Sequence, residues 1–166
     1  MVIINDTNIW IDLKLTNIIE NVFLLPYELA VPDILYNDEL KDMDGELLEA
    51  NGIKIIEMTN DEVVETAERS GMTNRVSFND LITLVVAKSR GYILVTGDGN
   101  LRKIAKSENV ELRGTIWLID EMVSNNILDI GEPTLICKKL LQLKRRLPKE
   151  KLQLRIKRWT EEVAID

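Results

Sequence analysis

The stretch Ser77 to Leu101, SFNDLITLVVAKSRGYILVTGDGNL, constrains the fold of this chain more than any other. Leu81, Ile82, Leu84, Val85, Val86 and Ala87 are too dense for a one-sided apolar stripe, so the spacing predicts a helix buried nearly all round. Gly91 supplies its C-cap, and Tyr92-Ile-Leu-Val-Thr96 follows as a short apolar run suited to a central parallel strand. Asp80 stands at the start of the helix and Asp98 just past the strand. Both belong at the lip of a core. In an open α/β sheet, the lip beyond the carboxyl ends of the strands is where ligands bind.

The rest of the chain supplies the same kind of unit. Val2 to Asn5 reads as a buried strand, and Asp6-Thr-Asn8 as the cap of a helix running to about Lys14. Asn17 to Leu25 is a weaker helical pattern. Leu29 to Val31 is a strand closed by Pro32, and Asp33 to about Leu48 is a helix with Tyr36, Leu40, Met43 and Leu47 at 4-3-4 spacing. Ile53 to Met58 is a further strand, and Thr59-Asn-Asp-Glu62 is a capping box opening a helix to about Gly71. Past the central unit come a short helix from Asn100 to Ser107, a strand from Val110 to Leu112, and a helix from Thr115 to about Asn125. This alternation implies an α/β protein, a three-layer sandwich around a mostly parallel sheet.

Two amphipathic helices close the chain. Leu140, Leu143 and Leu147 stripe the first; Leu152, Ile156, Trp159 and Val163 stripe the second, which Pro148 opens at its first position. The reading divides the chain into an α/β domain at 1–130 and a basic helical extension at 131–166 packed on the same domain. Trp10, Trp117 and Trp159 read as core or interface residues rather than stacking platforms for bases.

Composition narrows the chemistry. There is no histidine, which excludes every imidazole-dependent triad and nearly every zinc site. Acid–base work is left to carboxylates, lysines, tyrosines or metal-activated water. The single cysteine, Cys137, suits a reducing cytoplasm, and neither a signal peptide nor a membrane span is expected. The net charge of −7 conceals an asymmetry: residues 138–158 carry ten Lys or Arg against one acid, Glu150. An acidic body with a basic arm can bind a polyanion if the acids are neutralised locally.

Taken singly, the acids have plain structural explanations. Asp6 can cap a helix, Ser77-x-x-Asp80 is a capping pattern, and Asp98 in Thr96-Gly-Asp-Gly99 is good turn chemistry. Glu39 lies at the edge of an apolar stripe. Jointly they are harder to explain away. Asp6 and Asp98 both end strands of a presumed parallel sheet, Asp80 opens the helix packed before one of them, and Glu39 follows the other early strand. Two carboxylates about 5 Å apart repel by roughly 3 kcal/mol at an effective dielectric of about 20. A hard divalent cation bound through carboxylate oxygens would relieve that repulsion and invert the local sign for a polyanion.

The ordered set Ile3-Ile-Asn-Asp6-Thr-Asn-Ile-Trp-Ile-Asp-Leu13, Val31-Pro32 with Asn37-Asp-Glu39-Leu40, Ser77-Phe-Asn-Asp80, and Leu94-Val-Thr-Gly-Asp98-Gly-Asn-Leu101 resembles the PIN-domain ribonucleases. The resemblance implies a PIN-like fold in which Asp6, Glu39, Asp80 and Asp98 hold Mg²⁺ or Mn²⁺ and hydrolyse RNA, with Asn8 and Thr96 in supporting positions. Asp38 and Asp42 are near enough to take the place of Glu39. Resemblance further implies 5′-phosphate and 3′-hydroxyl products, RNA as partner, a homodimer, and the toxin of a toxin–antitoxin pair with an antitoxin protein as its partner. The basic tail looks more like a subgroup described only as nucleic-acid-binding. The competing reading is a catalytically silent scaffold that binds RNA or protein. An aspartyl-nucleophile phosphotransferase would need a second aspartate where Asn8 stands.

Overall fold

A computed structural model of the protein describes residues 1–129, 131–145 and 147–163, with backbone only at 162 and 163. Arg146, the expected boundary at residue 130 and the side chain of Val163 lie outside that set. The strands are β1 (Val2–Asn5), β2 (Glu28–Pro32), β3 (Lys54–Ile56), β4 (Ile93–Val95) and β5 (Leu112–Arg113). They form one sheet in the order β3-β2-β1-β4-β5, with every pairing parallel. The expected mostly parallel sheet is thus parallel throughout.

β1 runs down the middle, with Ile4 opposite Ala30 of β2 on one side and Leu94 of β4 on the other. Its apolar composition follows from being covered on both faces; Ile3 and Ile4 are fully buried. The chain leaves β1 towards β2 and later returns to its other side as β4. That reversal opens a crevice at the carboxyl ends of β1 and β4.

The helices are α1 (Thr7–Leu15), α2 (Ile19–Val22), α3 (Asp33–Leu35), α4 (Lys41–Ala50), α5 (Asn60–Met72), α6 (Phe78–Arg90), α7 (Gly99–Ser107), α8 (Thr115–Ser124), α9 (Glu132–Gln142) and α10 (Lys149–Val163). As the dense apolar run required, α6 is buried from Leu81 through Ala87. It lies against β1, β2 and β4, and α5 and α7 pack on it; α1, α2 and α8 form the opposite layer. Gly91 ends α6 in the left-handed conformation at φ 66°, and Thr59 and Glu62 form the full capping box of α5.

The helix expected from Asp33 to Leu48 is not continuous. A π-helical turn, Tyr36–Leu40, joins α3 to α4, and Asp44 leaves helical geometry at φ −154°. The residue after it must lack a side chain: a Cβ on Gly45 would stand 2.8 Å from the Tyr36 hydroxyl. β3 and β5 are the edge strands, and β5, at Leu112–Arg113, overlaps the expected strand from Val110 to Leu112 only at Leu112.

In the tail, Leu140, Leu152 and Trp159 are buried in the main core, while Leu147 and Ile156 pack against it partly covered. Leu143 is exposed instead of continuing the stripe, because α9 ends at Gln142. Pro148 precedes α10 rather than opening it. Trp10 stacks on Phe23, and Trp117 packs against Tyr27 beneath the Arg113 guanidinium. Among the described residues, no helix is long and apolar enough to cross a membrane.

Candidate active site

Two of the acids singled out in the sequence, Asp6 and Asp98, are also helix caps, and a third, Asp80, lies one turn inside a capped helix. Asp6 Oδ1 accepts from the Ile9 amide at 2.9 Å and caps α1. Asp98 Oδ1 accepts from the amides of Asn100 and Leu101 at 2.9 and 2.8 Å and caps α7. The Asp80 amide donates to the Ser77 hydroxyl at 3.0 Å, which places Asp80 in the first turn of α6. Capping explains where these carboxylates are held. It does not oppose a further role, because the capped ends of α1 and α7 follow β1 and β4 directly and so meet at the crevice.

The Asp6 amide donates to the Val95 carbonyl at 3.1 Å, tying the ends of β1 and β4 together. Thr96, fully buried, donates its hydroxyl to Asp6 Oδ2 and accepts from the Asp98 amide at 3.0 Å. Thr96 is therefore the splice between the two strand-end acids. Glu39 is brought in from the π-helical turn: Thr7 donates to its Oε2, and the Asn79 amide donates to its Oε1 at 2.6 Å. Asp38 and Asp42 are exposed, whereas Glu39 is half-buried against α1 and α6.

Electrostatics shows how tightly the acids share the space. Burial pushes Asp6 from 3.8 up to about 7, and the charges of Asp80 and Asp12 push the same way against the hydrogen bonds from Thr96 and Ile9. Burial likewise raises Asp80, with Asp98 and Glu39 adding to it and Ser77 opposing it. Elsewhere in the fold, acids are matched by cations: Glu62 by Arg90, Glu108 by Arg69 and Lys88, and Asp120 by Arg155. No ion pair among the described residues includes Asp6, Glu39, Asp80 or Asp98.

The donor set fits a hard divalent cation in type and charge, since it consists of carboxylate oxygens lacking a counter-ion. It is not drawn together into a cage. Among the described residues, no group of three or more His, Cys, Asp or Glu is close enough to hold an ion. Hydrogen bonds from Thr96, from Thr7 and Asn79, and from the α7 backbone anchor Asp6, Glu39 and Asp98 separately.

Asn8, expected in a supporting position, is exposed on the rim. It lines a cleft of about 430 Å³ together with Asp12, Gly97, Asp98, Lys144 and Arg145. Sequence reasoning passed over Asp12, Thr7 and Asn79. Thr7 and Asn79 adjoin Asp6 and Asp80 and carried a signal in that adjacency. Asp12 is 4% exposed and accepts from Thr115 at 2.9 Å and from Arg145 at 2.5 Å. Its signal was a charge among Ile9, Trp10 and Leu13, all fully buried.

A search of curated proteins finds no match. A family model, DUF3368, a PIN domain, matches residues 2–161, nearly the whole of this chain and well into its tail. The span and the all-parallel sheet agree: the chain belongs to the PIN-domain family.

Proposed function

We propose that this protein is a metal-dependent endoribonuclease that hydrolyses RNA phosphodiester bonds, with Asp6, Glu39, Asp80 and Asp98 holding Mg²⁺ or Mn²⁺. One observation supports the reading: carboxylates from four separate elements lie near enough to the crevice for burial and mutual charge to raise two of them, and among the described residues no ion pair includes any of the four. A silent scaffold has no use for that repulsion. PIN domains are in general nucleases, and the reading follows that rule.

A divalent cation, when bound, supplies the counter-charge and makes a water molecule acidic enough to react near neutral pH. The protein's own contribution is positional. Thr96 and the Ile9 amide hold both oxygens of Asp6 at the bottom of the crevice, and Thr7 and Asn79 fix both oxygens of Glu39. Asp98 keeps one oxygen on the α7 backbone. Asp6, with its carboxyl raised to about 7, can hold or yield a proton near physiological pH.

The test is cleavage of single-stranded RNA by the purified protein in Mg²⁺, in Mn²⁺ and in EDTA. Cleavage with either ion and none in EDTA is the expected result, with 5′-phosphate and 3′-hydroxyl ends. Asp98→Asn should abolish it and leave the fold intact, as read by circular dichroism. Wild-type rates in that variant would overturn the assignment. The toxin role rests on the resemblance alone, and the neighbouring reading frame tests it: a small antitoxin gene upstream supports it.

A further inference from the structure

One wall of the cleft beside the acids is basic, and the four carboxylates make no use of it. After α9 the chain turns at Lys144, whose backbone is left-handed at φ 50°. The turn delivers Lys144 and Arg145 to the cleft of about 430 Å³ that Asp98 borders on the other side. The two basic residues and Asp98 thus face one space, although they are far apart in sequence.

The cations differ in how they are held. Arg145 gives its Nε to Asp12 at 2.5 Å, and its Nη2 lies 3.4 Å from both the backbone oxygen and Oδ1 of Asn8. That fixes the guanidinium in place with part of its fork towards the rim. Lys144 is exposed, and no ion pair among the described residues includes it. Lys138, Lys139, Lys149 and Lys151, also exposed, continue the positive charge along α9 and α10. An anionic strand that reaches past Asp98 comes to Lys144 and Arg145, which line the same cleft.

We propose that Lys144 and Arg145 form a phosphate-binding subsite that holds the RNA backbone next to the scissile bond, a proposal that rests on the ribonuclease reading. The recognised chemistry is the phosphodiester of a single strand. Lys144 meets it as a point charge, and Arg145 as a planar donor whose orientation Asp12 sets. The acids repel a polyanion unless neutralised, so the basic wall gives the strand a place to bind beside them.

The experiment measures binding of a short fluorescent single-stranded RNA to the full chain in EDTA, across a salt series, and cleavage separately in Mn²⁺. Lys144→Gly removes the ammonium while suiting the left-handed backbone. Lys138→Ala removes one charge from α9 away from the cleft-lining residues. Lys144→Gly should weaken binding by about five- to tenfold at low salt and flatten the log–log salt slope by about 0.7, with Lys144→Arg restoring both. Its cleavage at subsaturating RNA should fall by the same factor as its binding. Equal losses in Lys144→Gly and Lys138→Ala would overturn the subsite in favour of diffuse attraction. A polyglutamate peptide binding with the same dependence on Lys144 would overturn its assignment to phosphodiesters. Selective loss in Lys144→Gly alongside a wild-type protein that cuts no RNA in either ion would support the subsite and sink the nuclease reading instead.

Discussion

Asp6 carries two jobs with opposed requirements. As a cap it serves best ionised, yet burial raises it to about 7 from 3.8. A carboxyl whose folded value lies above its unfolded one stabilises the fold fully below 3.8, and that contribution is lost as pH rises through about 7. In EDTA, the melting temperature should therefore fall between roughly pH 4 and pH 8 on account of this residue. Asp6→Asn should remove much of that fall and melt higher than wild type at the alkaline end. Mn²⁺ should raise the wild-type melting temperature there by binding the native state, and should do little for Asp6→Asn. Calorimetry across pH decides it; a flat wild-type profile would count against the buried carboxyl. Glu62 has the opposite sign, being lowered to about 2 chiefly by its hydrogen bonds from Arg90. Its contribution is present above 4.5 and is lost as pH falls through about 2, so acid unfolding belongs to pairs like this one.

At the scale of elements, much of the architecture was legible because it rests on local rules. The dense run from Leu81 to Ala87 marked a helix covered on all sides, and Thr59 with Glu62 marked a helix start, and both are present. The π-helical turn was not legible. Tyr36, Leu40, Met43 and Leu47 keep a spacing that an unbroken helix satisfies, and the contacts made from the turn, Tyr36 to Glu49 and Glu39 to Thr7 and Asn79, reach residues that the spacing does not mark. That turn also presents Glu39, so the site inherits its geometry from the one segment that sequence periodicity misdescribes. Gly45→Ala should force the Tyr36 ring aside, since its hydroxyl is tethered to Glu49. The expected cost is about 1–3 kcal/mol in chemical denaturation, with a loss of RNA cleavage as Glu39 shifts. Gly71→Ala is the control, because nothing lies within 4 Å of the added carbon. It should be neutral or gain up to about 1 kcal/mol.

For the whole molecule, the tail is held by charge as well as by its apolar stripes. Its charge count pointed to a basic arm, and Arg145 and Arg155 are two of the ten cations counted there. They are committed to Asp12 on α1 and Asp120 on α8. Neither pairing was readable from spacing, since the partners are 133 and 35 residues apart. Arg145→Ala should cost about 3 kcal/mol by leaving Asp12 buried with Thr115 alone, and Asp12→Asn in the same chain should recover part of that. A double-mutant cycle on melting measures the coupling; additive effects would show the pair to be idle. Loss of α9 and α10 would take Ile136, Cys137, Leu140, Leu152 and Trp159 out of the shared core and should leave a chain that fails to fold cooperatively. The Asp12–Arg145 pair also has a consequence in time. A ribosome adding about 5–20 residues per second makes Arg145 roughly ten seconds after Asp12, over the 133 positions that separate them. Throughout that interval the nascent chain carries an aspartate destined for burial whose partner does not yet exist, so the last turns of the crevice wall settle only late in synthesis.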